Sequence, residues 1–103
     1  MKYIFRASCR PRWNTTFMRK IARLWADGLN RELFKRFVKQ NAEGISTAAV
    51  GPVEEDNEGY HFDVLFPCKK EWETERDALT KGANPLINRI AEKFHFQFIE
   101  VKE

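Results

Sequence analysis

Every second residue between Gly59 and Pro67 is large and apolar: Tyr60, Phe62, Val64 and Phe66 alternate with His61, Asp63 and Leu65. A period of two is the mark of a strand with one buried face. Asp63 decides which face, because an unpaired carboxylate in a core is expensive. A second alternating run spans residues 2–9, with Tyr3, Phe5, Ala7 and Cys9 on one side and Lys2, Arg6 and Ser8 on the other. Ile4 alone departs from it, and Pro11 ends it. Two half-buried strands need a covering layer, so helices must pack on one face of the sheet they build.

The covering elements are legible between the strands. Asn14, Thr15 and Thr16 offer N-caps, and Phe17, Ile21, Leu24, Trp25 and Gly28 then recur at helical spacing. Leu29, Leu33, Phe37 and Val38 fall on nearly the opposite side. Asp27-Gly28 therefore reads as a stop, with Asn30 capping a second helix over 31–41; one long helix packed on both sides is the alternative. Residues 45–53 are small and β-branched and read as an edge strand, since Pro52 cannot donate to a ladder. Glu54 to Gly59 is an acidic turn.

Thr74 with Asp77 approximates a capping box and starts a helix near 74–81. Gly82-Ala83-Asn84-Pro85 interrupts it, and Leu86, Ile87, Ile90, Ala91 and Phe94 give the next helix an apolar face. Residues 97–101 close the chain as a strand. The order β-α-β-β-α-β implies a single α+β domain over 1–103, a ferredoxin-like sandwich: a four-stranded antiparallel sheet with helices on one face and the first and third strands central.

Gly59-Tyr60-His61-Phe62 resembles part of the aromatic RNP1 motif of RNA-recognition-motif domains, with Tyr3 or Phe5 as the first-strand counterpart. The motif's leading basic residue is Glu58 here, and its small fourth position is His61. Turning Tyr60 and Phe62 outward would drive Asp63 and His61 into the core. The chain is therefore not assigned to that family.

Charge carries the functional expectation. Residues 1–42 hold 11 Lys and Arg against Asp27 and Glu32, a net of +9, whereas residues 43–103 hold 7 against 13 acids, a net of −6. A basic half implies an anionic partner. Read as parallel neighbours, the first and third strands would deliver Arg10, Arg12, Lys69 and Lys70 to one edge, beside two helix N-termini suited to phosphate. Arg19, Lys20 and Arg23 extend this surface along the first helix, Arg31, Lys35, Arg36 and Lys39 along the second, and Trp13 is a candidate for base stacking. The competing reading is that these cations form a solvated face, neutralised by the acidic half.

Chemistry has weaker support. Cys9 and Cys68 share the core-facing phase at what look like matching strand ends, and read as two buried thiols or as a pair within bonding reach. His61 and Asp63 share one strand face, as an exposed polar pair or an oriented base. Two His and two distant Cys match no zinc spacing, and the 5 Gly are scattered. No cofactor, metal site or enzyme activity is expected. On the open sheet face Ile4, Leu65 and Phe98 would form an apolar patch for a homodimer or a partner protein.

No apolar run nears the roughly 18 residues of a membrane span. Arg6 and Arg10 arrive before a secretory apolar stretch can form, so a cytoplasmic protein is expected. The first functional expectation is a non-enzymatic domain that binds nucleic acid, DNA or RNA, through phosphates. The second is an adaptor or inhibitor that docks on an acidic protein surface, for instance that of a nucleic-acid-processing enzyme.

Overall fold

A computed structural model of the chain describes residues 2–11, 13, 15–44, 48–80 and 94–101. They form β1 (Lys2–Cys9), α1 (Thr16–Ala42), β2 (Ala49–Val50), β3 (Glu54–Glu55), β4 (Tyr60–Phe66), α2 (Lys69–Thr80) and β5 (His95–Val101). The sheet order is β2-β4-β1-β5, β3 also pairs with β4, and each pairing is antiparallel. Among the described residues the protein is thus α+β, with five strands and two helices.

The alternation of β1 and β4 buries the expected faces. Tyr3, Phe5, Ala7 and Cys9 are buried with Tyr60, Phe62, Val64 and Phe66, and both helices pack on that side through Leu29, Leu33 and Phe37 of α1 and Trp72 of α2. Aromatic rings fill the layer. Phe5 lies 4.9 Å from Phe98 and 5.0 Å from Phe96, and Trp72 meets Tyr3 at 5.5 Å. Such ring pairs add to the area term that drives burial. The Trp72 indole N–H also donates to the Ile4 carbonyl at 3.1 Å, which fixes α2 against β1.

The expected break at Gly28 does not occur: α1 runs unbroken for 27 residues. Its buried residues are Ala22, Ala26, Leu29, Leu33 and Phe37, spaced by three and four straight through Gly28. Thr15 caps the start, its Oγ1 accepting from the Met18 N–H at 3.1 Å. The chain leaves the helix at Gly44, whose φ of 73° suits a residue without a side chain.

Other boundaries shift as well. The strand expected over 45–53 is reduced to Ala49–Val50, residues 45–47 lying outside those described. Glu54 and Glu55, expected in a turn, pair with His61 and Tyr60 as β3. The turn contracts to residues 56–59, where Asp56 Oδ1 accepts from the N–H groups of Glu58 and Gly59, both at 2.8 Å. Gly59 is required there, because an added Cβ would collide with the Cys9 carbonyl oxygen.

α2 begins at Lys69, not near Thr74, and the Thr74 hydroxyl donates to the Lys70 carbonyl at 2.8 Å instead of capping. β5 starts at His95, two residues earlier than expected. The helix expected from Pro85 lies outside the described residues, except for Phe94.

One correction bears directly on function. β1 and β4 are antiparallel, with Tyr3 opposite Phe66 and Cys9 opposite Tyr60. The parallel reading overlooked that β4 reverses the chain after the strand before it.

Candidate functional site

The antiparallel register dismantles the expected anion cradle. Arg10 leaves β1 beside Tyr60, whereas Lys69 and Lys70 follow Phe66, which sits beside Tyr3. Six strand residues separate the two ends, about 20 Å. The start of α1 stands at the first end and that of α2 at the second, so the two helix N-termini do not converge. Arg12 lies outside the described residues. Cys9 and Cys68 are parted in the same way: Cys9 is buried, Cys68 is exposed and both are free. Burial pushes the Cys9 thiol pKa up, which disfavours the reactive thiolate.

What stays together is the first end: Arg10, Trp13, Arg19, Lys20 and Arg23. Several of these cations meet acids of the second half of the chain. Arg10 pairs with Glu58 and Arg19 with Glu55, each at 2.8 Å. Arg23 reaches Asp27 at 3.6 Å and lays its guanidinium 5.7 Å from the centre of the Tyr60 ring. Elsewhere Arg6 grips Asp63 with two hydrogen bonds of 2.7 and 3.0 Å, and Arg36 Nη2 sits 3.2 Å from each Glu75 oxygen. The two oppositely charged halves are thus stitched to each other. The Arg10 and Arg23 pairs are exposed, and such pairs stabilise by about 1 kcal/mol at most.

Glu75 is an exception in its setting. It is buried, and burial raises its carboxyl pKa while Arg36 pulls the other way. His61 and Asp63 do not pair with each other: His61 Nδ1 lies 2.7 Å from Asp56 and Nε2 lies 3.3 Å from Glu54. Burial tends to raise the Asp56 pKa, but hydrogen bonds from His61 and from two backbone N–H groups outweigh it and hold the carboxyl below its usual value. These groups tie β3 and the 56–59 turn to β4. Among the described residues no cluster of His, Cys, Asp or Glu is arranged to hold a metal ion.

The apolar surface is not where the sequence placed it. Phe98 pairs with Phe5 on the covered face, and Ile99 is the residue opposite Ile4 on the open one. Ile4, Leu65 and Ile99 remain a small group there, hemmed in by the Arg6–Asp63 pair two register positions away.

A larger apolar surface lies on α1. Its inward stripe uses Ala22 and Ala26 near the N-terminus, so the big side chains of the same turns face away from the sheet. Phe17 is 70% exposed and Leu24 71%, values that rule out a core role. Trp13 and Trp25 are also exposed, Ile21 is half-buried, and Gly28 lies on the same strip. At its N-terminal end the strip borders a cleft of about 310 Å³, lined by Cys9, Arg10, Pro11, Trp13, Met18, Ile21, Ala22 and Trp25. The sequence named Phe17, Ile21, Leu24 and Trp25 as an apolar face but read them as core. The signal that corrects this is the pair Ala22 and Ala26, in register with Leu29, Leu33 and Phe37.

Comparison of the chain with protein-family models, curated proteins and solved structures finds no match. The site therefore has to be read from its own chemistry. Among the described residues no helix is long and apolar enough to cross a membrane.

Proposed function

We propose that this chain is a small protein-docking module, of adaptor or inhibitor type, whose contact surface is the outward strip of α1. The carrying observation is the exposure of Phe17 and Leu24 on a well-formed helix whose other face is packed in the core. Contiguous apolar surface of this kind marks interaction sites. Aromatic residues and Arg, both concentrated here, are the residues that anchor protein interfaces. The supporting scaffold is a rigid sheet, which we read as ferredoxin-like, with β2 and β3 as two halves of one edge strand interrupted around Pro52. The strand order and the placement of both helices on one face support that reading.

A photo-crosslinking residue placed at position 24 and, as a control, at position 65 tests the proposal in cells. Position 24 should give a discrete protein adduct and position 65 should not. Equal labelling at both positions, or adducts that disappear on nuclease treatment, would refute docking through α1.

A second reading, phosphate-directed binding of nucleic acid, is favoured by one observation: Arg10, Lys20 and Arg23 remain at the same end as Trp13 and the cleft. It requires affinity for unrelated DNA or RNA to fall with salt at a log–log slope near −0.9 per duplex phosphate neutralised. Absence of any gel shift at low salt eliminates it.

A further inference from the structure

We infer that the element seated on α1 is an acidic amphipathic helix of a partner protein, which lays its apolar side along the strip and its carboxylates over the flanking cations. The inference rests on the docking reading above and names the chemistry of the occupant.

The shape of the strip is the first argument. Phe17, Ile21, Leu24 and Gly28 follow one another at spacings of four, three and four, the rhythm of a surface that meets another helix. From Phe17 to Gly28 the strip is about 16 Å long, the length of three helical turns. Gly28 presents no side chain, and a Cβ there would meet nothing within 4 Å. The incoming backbone can therefore approach closely at that point. At the other end, the cleft between Trp13, Met18, Ile21 and Trp25 is sized for one large apolar side chain, and Arg10 also lines it. The Arg10–Glu58 pair is exposed on both sides, so a partner carboxylate can replace Glu58 at little cost.

Charge is the second argument, and it selects among occupants. Residues 16–42 contain seven Lys and Arg and only Asp27 and Glu32 as acids, a net of +5. Lys20 and Arg31 are exposed and have no ion-pair partner among the described residues, and Lys35 touches Glu32 only at 3.9 Å. On a helical projection Lys20, Arg31 and Lys35 fall within about 40° of Leu24, alongside the strip. A second copy of this chain docked through the same face would bring Lys20, Arg31 and Lys35 against cations of their own kind. A basic partner helix would suffer the same repulsion, whereas an acidic one gains both attraction and a faster encounter. Helix-on-helix packing through apolar anchors at such spacings is a common geometry for this kind of pairing.

The test uses the full chain and defined probes. One is an N-acetylated peptide of about four helical turns with Leu and Phe on one side and Glu on the other. The second has Lys in place of every Glu. The third is an oligodeoxythymidine. Tryptophan emission and calorimetry report binding at low and high salt. The acidic peptide should bind about tenfold or more tightly than its Lys counterpart and weaken with salt. Its affinity should fall about tenfold in Leu24→Ser and again in Lys20→Ala/Arg31→Ala, with circular dichroism unchanged.

Equal or tighter binding of the Lys peptide overturns the acidic assignment and leaves docking through α1 standing. Binding of neither peptide likewise overturns this inference, while the crosslink at position 24 still decides the docking reading. Dimerisation that Leu24→Ser abolishes would make a second copy the occupant. Oligodeoxythymidine that competes at the same site would overturn both readings together.

Discussion

The two sides of α1 differ in how they use their residues. The side toward the sheet is built of Ala22, Ala26, Leu29, Leu33 and Phe37, none more than 3% exposed. The side toward solvent carries Phe17, Leu24 and Trp25 at 70%, 71% and 40% exposure. In the N-terminal half the small residues are inside and the large ones outside, the reverse of what burial energetics alone would arrange. The small residues let the helix approach the Cys9 and Tyr60 end of the sheet closely. The large ones Phe17 and Leu24 keep most of their surface in water and so gain little from burial. Hydrophobicity does not by itself identify the core; packing depth does.

The sharpest way to break this contrast is to truncate one leucine on each side. Leu29→Ala should cost about 3–4 kcal/mol, the usual range for a filled core position. Leu24→Ala should change stability by no more than about 0.5 kcal/mol, as at an ordinary surface site. Urea denaturation of the two variants measures the difference directly. A comparable loss at both positions would mean that the outward side is packed after all.

Arg36, at the boundary between the two sides, sharpens it next. Arg36→Met leaves the buried Glu75 carboxylate without its cation and should destabilise by about 2–3 kcal/mol at neutral pH, less than a fully buried broken pair because the Arg is partly exposed. Burial already raises the Glu75 pKa, and removing Arg36 raises it further. The folded state of the variant therefore holds a proton that the unfolded state gives up more readily. Its penalty should shrink as the pH falls through that raised pKa, seen as a convergence of variant and wild-type denaturation midpoints in mild acid. An effect of opposite sign is expected at Gly28. Gly28→Ala removes the entropic cost of a helical glycine, has open space for its Cβ and should stabilise by up to about 1 kcal/mol in a thermal melt.

Sequence reasoning reached the parts of the fold governed by large, regularly spaced side chains. Tyr60, Phe62, Val64 and Phe66 announce their buried face, and Asp63 excludes the alternative. It failed where small residues or distant partners decide. Ala22 and Ala26 are weak signals beside Phe17 and Trp25, so the apolar pattern of α1 reads as two helices, each with its own covered side. Glu54 and Glu55 look like turn residues until His61 is known to stand opposite Glu54. Lys69 and Lys70 read as a loop because Thr74 resembles a cap, yet its hydroxyl bonds back to Lys70. The strip itself was visible as a periodicity but not as a surface, since exposure depends on what the remaining chain leaves uncovered. The charge split was legible in full, and its resolution into Arg6–Asp63, Arg10–Glu58, Arg19–Glu55 and Arg36–Glu75 was not, because each pair spans at least 36 positions.

The segment around β2 has one more consequence. Two amides of α1 reach across to it, Asn30 donating to the Gly51 carbonyl at 2.8 Å and Asn41 to the Ala48 carbonyl at 3.1 Å. With only two ladder residues, a proline two positions on and carbonyls already claimed by the helix, this rim offers little for another strand to zip onto. Templated addition of a foreign strand is disfavoured at this rim by the same helix that seals the covered face of the sheet.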